Sequence, residues 1–186
     1  QAKTLFPYTT LFRSAKLHRK KVHILWLLWN GWVHAHQDHI IALCQMAKAQ
    51  WCDDLAIHGF LDGRDTAPQS ALWFVQQIEE RLQKDDVVWH LATLVWRYYA
   101  MDRDQRWERI KLAYDLLVHG TWKVVSSLSS WIQASYDEGI FDEFIQPMSL
   151  SQEDRIQSWD VVIFANFRTD RPRELTIALT QKDFPW

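Results

Sequence analysis

Apolar and polar positions along this chain follow two alternating patterns. Short apolar runs, which predict buried strands, lie at residues 22–28, 54–60, 90–95 and 160–167. Elsewhere apolar side chains recur every three or four residues, as on the buried face of a helix. These helical stretches cover residues 39–50, 68–82, 107–117, 131–140 and 171–179. Strand, loop and helix repeated four times predict an α/β fold, a three-layer sandwich with a largely parallel sheet.

Proline and glycine bound some of these elements. Pro68 fits the first turn of the second predicted helix, and Gly139 is expected to end the helix that begins near Trp131. The serine-rich segment 121–130 is interpreted as a connecting loop. No internal repeat or linker interrupts the 186 residues, which are enough for one domain with a substantial core.

Charged side chains follow the predicted strands where each strand ends. The loop after the first strand carries His34 and His36. The later loops carry Arg64, Arg97, Arg103, Arg168 and Arg171. Ligands of open α/β sheets bind beyond the carboxyl ends of the strands, and guanidinium groups gathered there repel one another unless an anion lies between them. Because Arg binds phosphate and carboxylate through two donors, we predict a pocket for a small phosphorylated acid.

Two simpler interpretations of these charged residues stay open. The arginines could form local ion pairs with neighbouring aspartates, as in GRD (63–65) and MDRD (101–104), without any ligand. The segment HAHQDH (34–39) could bind a metal, but such sites need three or four converging ligands, and Asp38 and His39 fit the first turn of a helix. We favour contact of His34 with the anion. His58, inside a strand, is expected to be a packed core histidine.

The composition excludes several classes of protein. With 21 basic and 23 acidic residues the net charge is −2, which argues against a surface for nucleic acid or membranes. No apolar run approaches the ~20 residues that span a bilayer. The two cysteines have no metal-like spacing, so a reducing, cytoplasmic location is expected. No nucleophile elbow, P-loop or dinucleotide fingerprint is present, so the chain has the features of a substrate cradle without a reactive centre.

Five segments carry a resemblance to a known family. They are GWVHAHQDHI, HGFLDGRDTAPQSA, WRYYAMDRDQRWERIKLAYD, ASYDEGIFDEF and VVIFANFRTDR. Together, in this order, they closely resemble the transferase domain of cofactor-independent (2,3-bisphosphoglycerate-independent) phosphoglycerate mutases. The similarity runs from about Val22 to the C-terminus.

The resemblance implies a role for each residue already selected at the strand ends. Asp65 is the implied catalytic residue, which accepts a proton or hydrogen bond from a glycerate hydroxyl. The implied substrate-binding residues are His34, Arg64, Asp65, Arg97, Arg103, Arg168 and Arg171. None of them is a metal ligand.

The resemblance also implies an isomerase that transfers phosphate within its substrate. In that family phosphate passes from phosphoglycerate to a serine and back to the other hydroxyl, interconverting 3-phosphoglycerate and 2-phosphoglycerate in glycolysis. The serine, two manganese ions and a substrate lysine belong to a phosphatase-like domain that this chain lacks. Residues 15–186 are therefore expected to be an incomplete transferase domain, monomeric and inactive alone, that binds substrate but no metal. A stand-alone module for a small phosphorylated acid, and a related metal-dependent phosphoglycerate or phosphopentose mutase, are the alternatives.

Tryptophan is abnormally frequent. The chain has 12 Trp and 5 Gly, the reverse of ordinary usage, in which Gly alone is about 7%. Trp107 matches a family tryptophan, whereas Trp29, Trp122, Trp131 and Trp186 have no assignment. Glycine is expected in relatives at seven Trp positions, namely 26, 32, 51, 73, 89, 96 and 159.

We interpret these seven tryptophans as UGA codons that the source organism reads as glycine. If they are real, the chain is expected to fold poorly and bind weakly, because glycine reaches positive φ freely and because Trp32 and Trp96 would intrude beside His34 and Arg97. Residues 1–14, which include TLFPYTTLFRS (4–14), resemble a translated sequencing adapter and are set aside from the fold.

Overall fold

A computed structural model describes residues 7–84 and 89–186, in which one six-stranded sheet has the order β4-β5-β3-β2-β1-β6. Its strands are β1 (Val22–Leu27), β2 (Leu55–Leu61), β3 (Leu91–Trp96), β4 (Lys123–Val124), β5 (Met148–Ser149) and β6 (Val161–Phe164). Strands β6, β1, β2 and β3 pair in parallel, while β5 runs antiparallel to β3. The predicted α/β class with a largely parallel sheet is confirmed.

The helices cover this sheet in two groups. They are α1 (Pro7–His18), α2 (Gln37–Ala49), α3 (Ala71–Lys84), α4 (Arg97–Ala100), α5 (Trp107–Tyr114), α6 (Leu128–Asp137) and α7 (Arg173–Thr180). Helices α1, α2, α3 and α6 contact one another in sequence, and α4, α5 and α7 form the second group. Every residue of β1 and β2 is buried, as expected of parallel strands covered on both faces.

Several predicted boundaries move in the structure. The fourth predicted strand, 160–167, ends at Phe164. Pro68 lies before the helix that it was expected to begin, because α3 starts at Ala71. The carbonyl of Pro68 accepts a hydrogen bond from the amide of Asp142 at 2.9 Å. The predicted helix 107–117 changes at Asp115 into a π-helical turn that ends at His119. Segment 121–130, predicted to be a loop, contains β4 and the start of α6.

The end of α6 was predicted correctly. Gly139 has a φ of 77°, and the amide of Ile140 donates to the carbonyl of Ser135 at 2.8 Å. This is the left-handed glycine termination that closes many helices.

The N-terminal segment packs with the rest of the domain. Residues 7–14 lie in helix α1, and Phe12 and Ala15 are buried in the core. Setting aside the whole of 1–14 from the fold was therefore wrong for the residues that the structure describes. Residues 1–6 lie outside the described ranges, and the origin of the segment stays a prediction.

Two of the seven tryptophans at expected glycine positions have left-handed backbones. Trp51 follows the C-cap of α2 with a φ of 57°, and Trp159 has a φ of 73°. Both side chains are exposed, by 72% and 87%. A bulky residue is disfavoured there by about 1–2 kcal/mol, which supports the interpretation of both as glycine positions. Trp26 differs, because its side chain is fully buried against Phe60 and Phe164.

The four unassigned tryptophans all contact the domain. Trp29 is buried, and the Trp122 indole donates to the carbonyl of Leu112 at 3.0 Å. The ammonium of Lys123 lies 3.7 Å from the ring centre of Trp131. Trp186 packs on Tyr114 with ring centres 4.7 Å apart.

Candidate functional site

The loops predicted to carry the site meet at one sheet edge because β1, β2, β3 and β6 run in the same direction. The amide of Phe167, after β6, donates to the carbonyl of His34, after β1, at 3.0 Å. Leu61 and Trp96 pair as the last residues of β2 and β3. The loops that follow β2 and β3 therefore begin next to each other.

Arg97 is the buried centre of this edge. It is the first residue of α4 and only 5% exposed. Its Nη1 donates to Asp62 Oδ1 and, at 2.7 Å, to Asp65 Oδ2. Its Nη2 lies 3.5 Å from His34 Nε2. Three residues from two other loops thus contact one guanidinium group.

An open cleft of about 500 Å³ lies beside Arg97. Four of the five predicted arginines line it, namely Arg64, Arg97, Arg103 and Arg171. Arg109 also lines the cleft, which the sequence did not indicate; its guanidinium lies 3.8 Å from the ring centre of Tyr98. Arg109 lies three residues after Arg106, in the first turn of the helix that follows the arginine-rich loop. This position could have indicated from the sequence that Arg109 faces the cleft.

Arg168 lies apart from the residues that line the cleft but is joined to them by an ion pair. Asp170 Oδ2 accepts from Arg103 Nη1 at 3.1 Å and from Arg168 Nη2 at 3.2 Å. Ion pairs between Arg and Asp therefore exist here, as the simpler interpretation expected, but the Arg103 pair and the Arg97 pairs join different loops. In both groups the aspartates partly compensate the positive charge of the arginines.

Arg171 has an unused donor. Its Nη1 donates to the carbonyl of Met101 at 3.0 Å, while its buried Nε has no hydrogen-bond partner in the described structure. Burial lowers the pKa of Arg171, and the charges of Arg103, Arg97 and Arg64 lower it further. Buried donors are rarely left without an acceptor, so this position favours an anionic ligand.

His34 experiences the same positive field. The side chain is buried, and its Nδ1 has no partner among the described residues. Burial, together with the charges of Arg97, Arg168 and Arg171, lowers the pKa of His34 to about 4. The imidazole is therefore neutral at physiological pH, and a hydrogen on Nδ1 could be donated to an anion.

Asp65 remains a carboxylate. Burial by itself raises its pKa, but the hydrogen bond and charge of Arg97 outweigh that effect, and the resulting pKa of Asp65 is lower than usual. Its side chain is 36% exposed. It can therefore accept a hydrogen bond from a hydroxyl group. Asp65 and His34 do not line the cleft themselves but contact Arg97, which does.

The histidine-rich segment 34–39 leads into the first turn of helix α2 rather than forming a metal site. His36 caps α2, where its Nδ1 accepts from the Asp38 amide at 3.2 Å, and Asp38 and His39 lie in the first helical turn. Across residues 7–84 and 89–186, no three His, Cys, Asp or Glu side chains form a group suited to a metal. His58 is a packed core residue, as predicted, with hydrogen bonds of 2.8 Å to His23 and Thr93.

The two tryptophans expected to crowd the site behave differently. Trp96 lines the cleft, where it stacks on Tyr98 with ring centres 4.5 Å apart. Its φ of −72° is ordinary, so backbone strain is absent there. Trp32 stacks on His36 at 4.8 Å. The ring centres of Trp26 and Trp29, rather than that of Trp32, lie within 6.4 Å of the His34 ring.

Comparison with known proteins decides the family. Residues 5–185 match the family model described as BPG-independent PGAM N-terminus. The chain belongs to this family.

Individual phosphoglycerate mutases are similar in sequence to this chain. The 2,3-bisphosphoglycerate-independent phosphoglycerate mutase of Bacteroides fragilis is 46% identical over 175 residues, which cover 94% of this chain and 34% of that protein. The protein of the same name from Flavobacterium psychrophilum is 46% identical over 178 residues, covering 93% and 35%. The chain thus spans about a third of the length of these relatives, and the resemblance inferred from its motifs is confirmed.

A solved structure supports the fold. Phosphoglycerate mutase of Leishmania mexicana, crystallised at low cobalt concentration, superposes with a TM-score of 0.79 at 23% identity, covering 96% of this chain and 38% of that one. Within the described part of the chain, no helix combines the length and apolarity needed to cross a bilayer.

Proposed function

We propose that this chain is the substrate-holding part of a 2,3-bisphosphoglycerate-independent phosphoglycerate mutase. The complete enzyme would interconvert 3-phosphoglycerate and 2-phosphoglycerate in glycolysis through a phosphoserine intermediate, in the cytoplasm. The observation that carries the proposal is the cleft beside Arg97, which Arg64, Arg103 and Arg171 also line. Family membership supports the same substrate class.

The charges of the cleft fit a small acid with two anionic ends. A phosphate and a carboxylate on one three-carbon molecule could each receive two donors from a guanidinium group. The unpartnered Nε of Arg171 and Nδ1 of His34 are further donors that such oxygens would satisfy. Carboxylates already pair with Arg97 and Arg103, and Asp102, Asp104 and Glu143 line the cleft as well, so the unpartnered donors, rather than the net charge alone, favour an anionic ligand.

Asp65 is proposed to act on the hydroxyl group. Because its pKa is held low by Arg97, it is an acceptor at neutral pH and could orient a glycerate hydroxyl through a hydrogen bond. Together with His34 and the arginines it would hold the glycerate while phosphate leaves one oxygen and returns to the other.

The phosphate acceptor and the metal belong to another domain in this proposal. Since the described residues contain no cluster of metal ligands, they do not fit the two manganese ions that the resemblance implies. The role proposed for this chain is to bind and orient substrate, and turnover would require the other domain.

Calorimetry with 3-phosphoglycerate tests the proposal on this chain. Replacing Arg171 with alanine is expected to weaken binding by about tenfold or more, since a hydrogen bond to a charged group contributes roughly 1.5–3 kcal/mol. Arg155→Ala is the matched control, because Arg155 also bonds main-chain carbonyls, of Gln152 and His119, and does not line the cleft. Absent binding, or equal losses in both variants, would contradict the proposal.

A further inference from the structure

We propose that Asp62 is a positioning residue that fixes the Arg97 guanidinium so that one side of it stays available to the ligand. This inference deepens the proposed function and rests on it for the ligand's identity. Asp62 was not selected from the sequence, where it reads as an ordinary turn residue before Gly63 and Arg64.

The sheet register places the two residues together. Leu61 pairs with Trp96 at the ends of β2 and β3, so Asp62 and Arg97 are the next residues along two adjacent parallel strands. Both are nearly inaccessible to solvent, at 3% and 5% exposure. The contact is therefore set by the sheet itself rather than by the flexibility of a surface loop.

Three hydrogen bonds hold Asp62 in one orientation. Its Oδ1 accepts from Arg97 Nη1, and its Oδ2 accepts from the Asp65 amide at 2.9 Å. Its main-chain carbonyl accepts from the indole nitrogen of Trp96, also at 2.9 Å. With both carboxylate oxygens bonded and the main chain fixed, the side chain cannot rotate without breaking a bond.

Arg97 has two carboxylate partners, and they differ in access to solvent. The Asp62 side chain is 1% exposed, whereas that of Asp65 is 36% exposed, although both bond Nη1. A ligand that binds Arg97 could displace the exposed Asp65 but not the buried Asp62. Asp62 is thus the permanent partner, and Asp65 is the exchangeable one, whose carboxylate becomes free for a ligand hydroxyl.

This division explains how the arginine can be oriented before the ligand arrives. Asp62 holds Nη1, which leaves Nη2 directed to the side of His34, 3.5 Å from its Nε2. A guanidinium group fixed in this way loses little further freedom on binding, which increases affinity. Without Asp62, only the exposed Asp65 would restrain Arg97, and the ligand would have to compete for the same nitrogen.

A double-mutant cycle separates positioning from a merely structural role. Asp62→Asn keeps the shape and is expected to weaken 3-phosphoglycerate binding by about tenfold or more, the factor typical of a charge-assisted hydrogen bond. If Asp62 acts through Arg97, the same change causes no further loss in an Arg97→Ala background but its full loss in an Arg103→Ala background. Additive losses with Arg97→Ala would overturn the inference.

A buried carboxylate elsewhere supplies the control. Asp154 is 7% exposed and bonds His90 and Lys21, at 2.9 Å each, away from the cleft. Asp154→Asn is expected to lower stability, as Asp62→Asn does, while leaving affinity unchanged. Equal affinity losses in the two variants would show that any buried carboxylate has the same effect.

A measurement without ligand keeps this inference distinct from the proposed function. Nitrogen-15 NMR of arginine side chains reports rotation of the Arg97 guanidinium. Rotation is expected to be slow in the unaltered chain and in Asp65→Asn, which replaces an exposed residue, and fast in Asp62→Asn. Fast rotation in the unaltered chain or in Asp65→Asn would overturn the inference even if Asp62→Asn does not fold. Slow rotation without any 3-phosphoglycerate binding would instead reject the proposed function alone.

Discussion

Arg97 Nη2 and His34 Nε2 lie 3.5 Å apart, although the two residues are 63 positions apart in sequence. The guanidinium is always charged, so it opposes protonation of the neighbouring imidazole. Burial is the larger cause of the lowered pKa of His34, and this contact between two loops lowers the pKa further, so the imidazole stays neutral.

We expect folding stability to decrease as the pH is lowered, because His34 is buried as a neutral imidazole. Its pKa drops from 6.5 to about 4 in the folded chain, so between these values the unfolded chain binds a proton that the folded chain does not. Folding stability should decrease as pH falls through this window, by up to about 3 kcal/mol at ~1.4 kcal/mol per pKa unit. Urea unfolding at pH 7 and pH 4.5 should show a smaller decrease in His34→Gln. Equal decreases in both proteins would contradict this assignment.

Trp51→Gly and Trp159→Gly should each stabilise the chain. Both tryptophans have positive φ and exposed side chains, so glycine would relieve about 1 kcal/mol of backbone strain and leave no cavity. The expected rise in Tm is roughly 2–4 °C for each in a domain of this size. Scanning calorimetry of the single variants measures it.

Trp73→Gly is the contrasting variant. Trp73 lies in α3 and is 49% exposed, so glycine there should lower stability by about 0.5–1 kcal/mol through its poor helix propensity. A gain at position 73 equal to that at 51 and 159 would show that removal of exposed tryptophan, rather than the backbone conformation, causes the effect.

Trp96→Gly should increase affinity for 3-phosphoglycerate. The indole lines the cleft and stacks on Tyr98, so its removal opens space beside Arg97. The indole's hydrogen bond to the Asp62 carbonyl is lost as well, but the Asp62 carboxylate keeps its bonds to Arg97 and to the Asp65 amide. Calorimetry of the single variant, and of the chain with all seven tryptophans replaced, is the measurement. Affinities equal to that of the unaltered chain would refute the expectation that these tryptophans weaken binding.

The codons provide a direct test of the tryptophan interpretation. We expect UGA at positions 26, 32, 51, 73, 89, 96 and 159, and UGG at Trp107. The left-handed backbones at 51 and 159 support this at two positions. UGG at all eight codons in the source DNA would reject the hypothesis.

Local pattern predicted the three central strands well, but it missed helix α1 and the shortest strands. Strands β1, β2 and β3 begin and end within one residue of their predicted runs, because apolar composition over six or seven residues is a strong signal. Strands β4 and β5 have two residues each, which is too short for any periodicity. They form because the fold places β5 beside β3 and β4 beside β5, where their backbones can pair.

The sequence by itself determined the fold class, the family motifs and the loops that carry the arginines, since these depend on local spacing and on strand order. Tertiary structure alone decided that Arg97 is buried, that Asp62 is its permanent partner and that Arg168 lies apart from the cleft lining. The physical reason is that burial and pairing depend on which strand ends are adjacent. The neighbouring ends of β2 and β3, at Leu61 and Trp96, bring together residues that no local pattern connects.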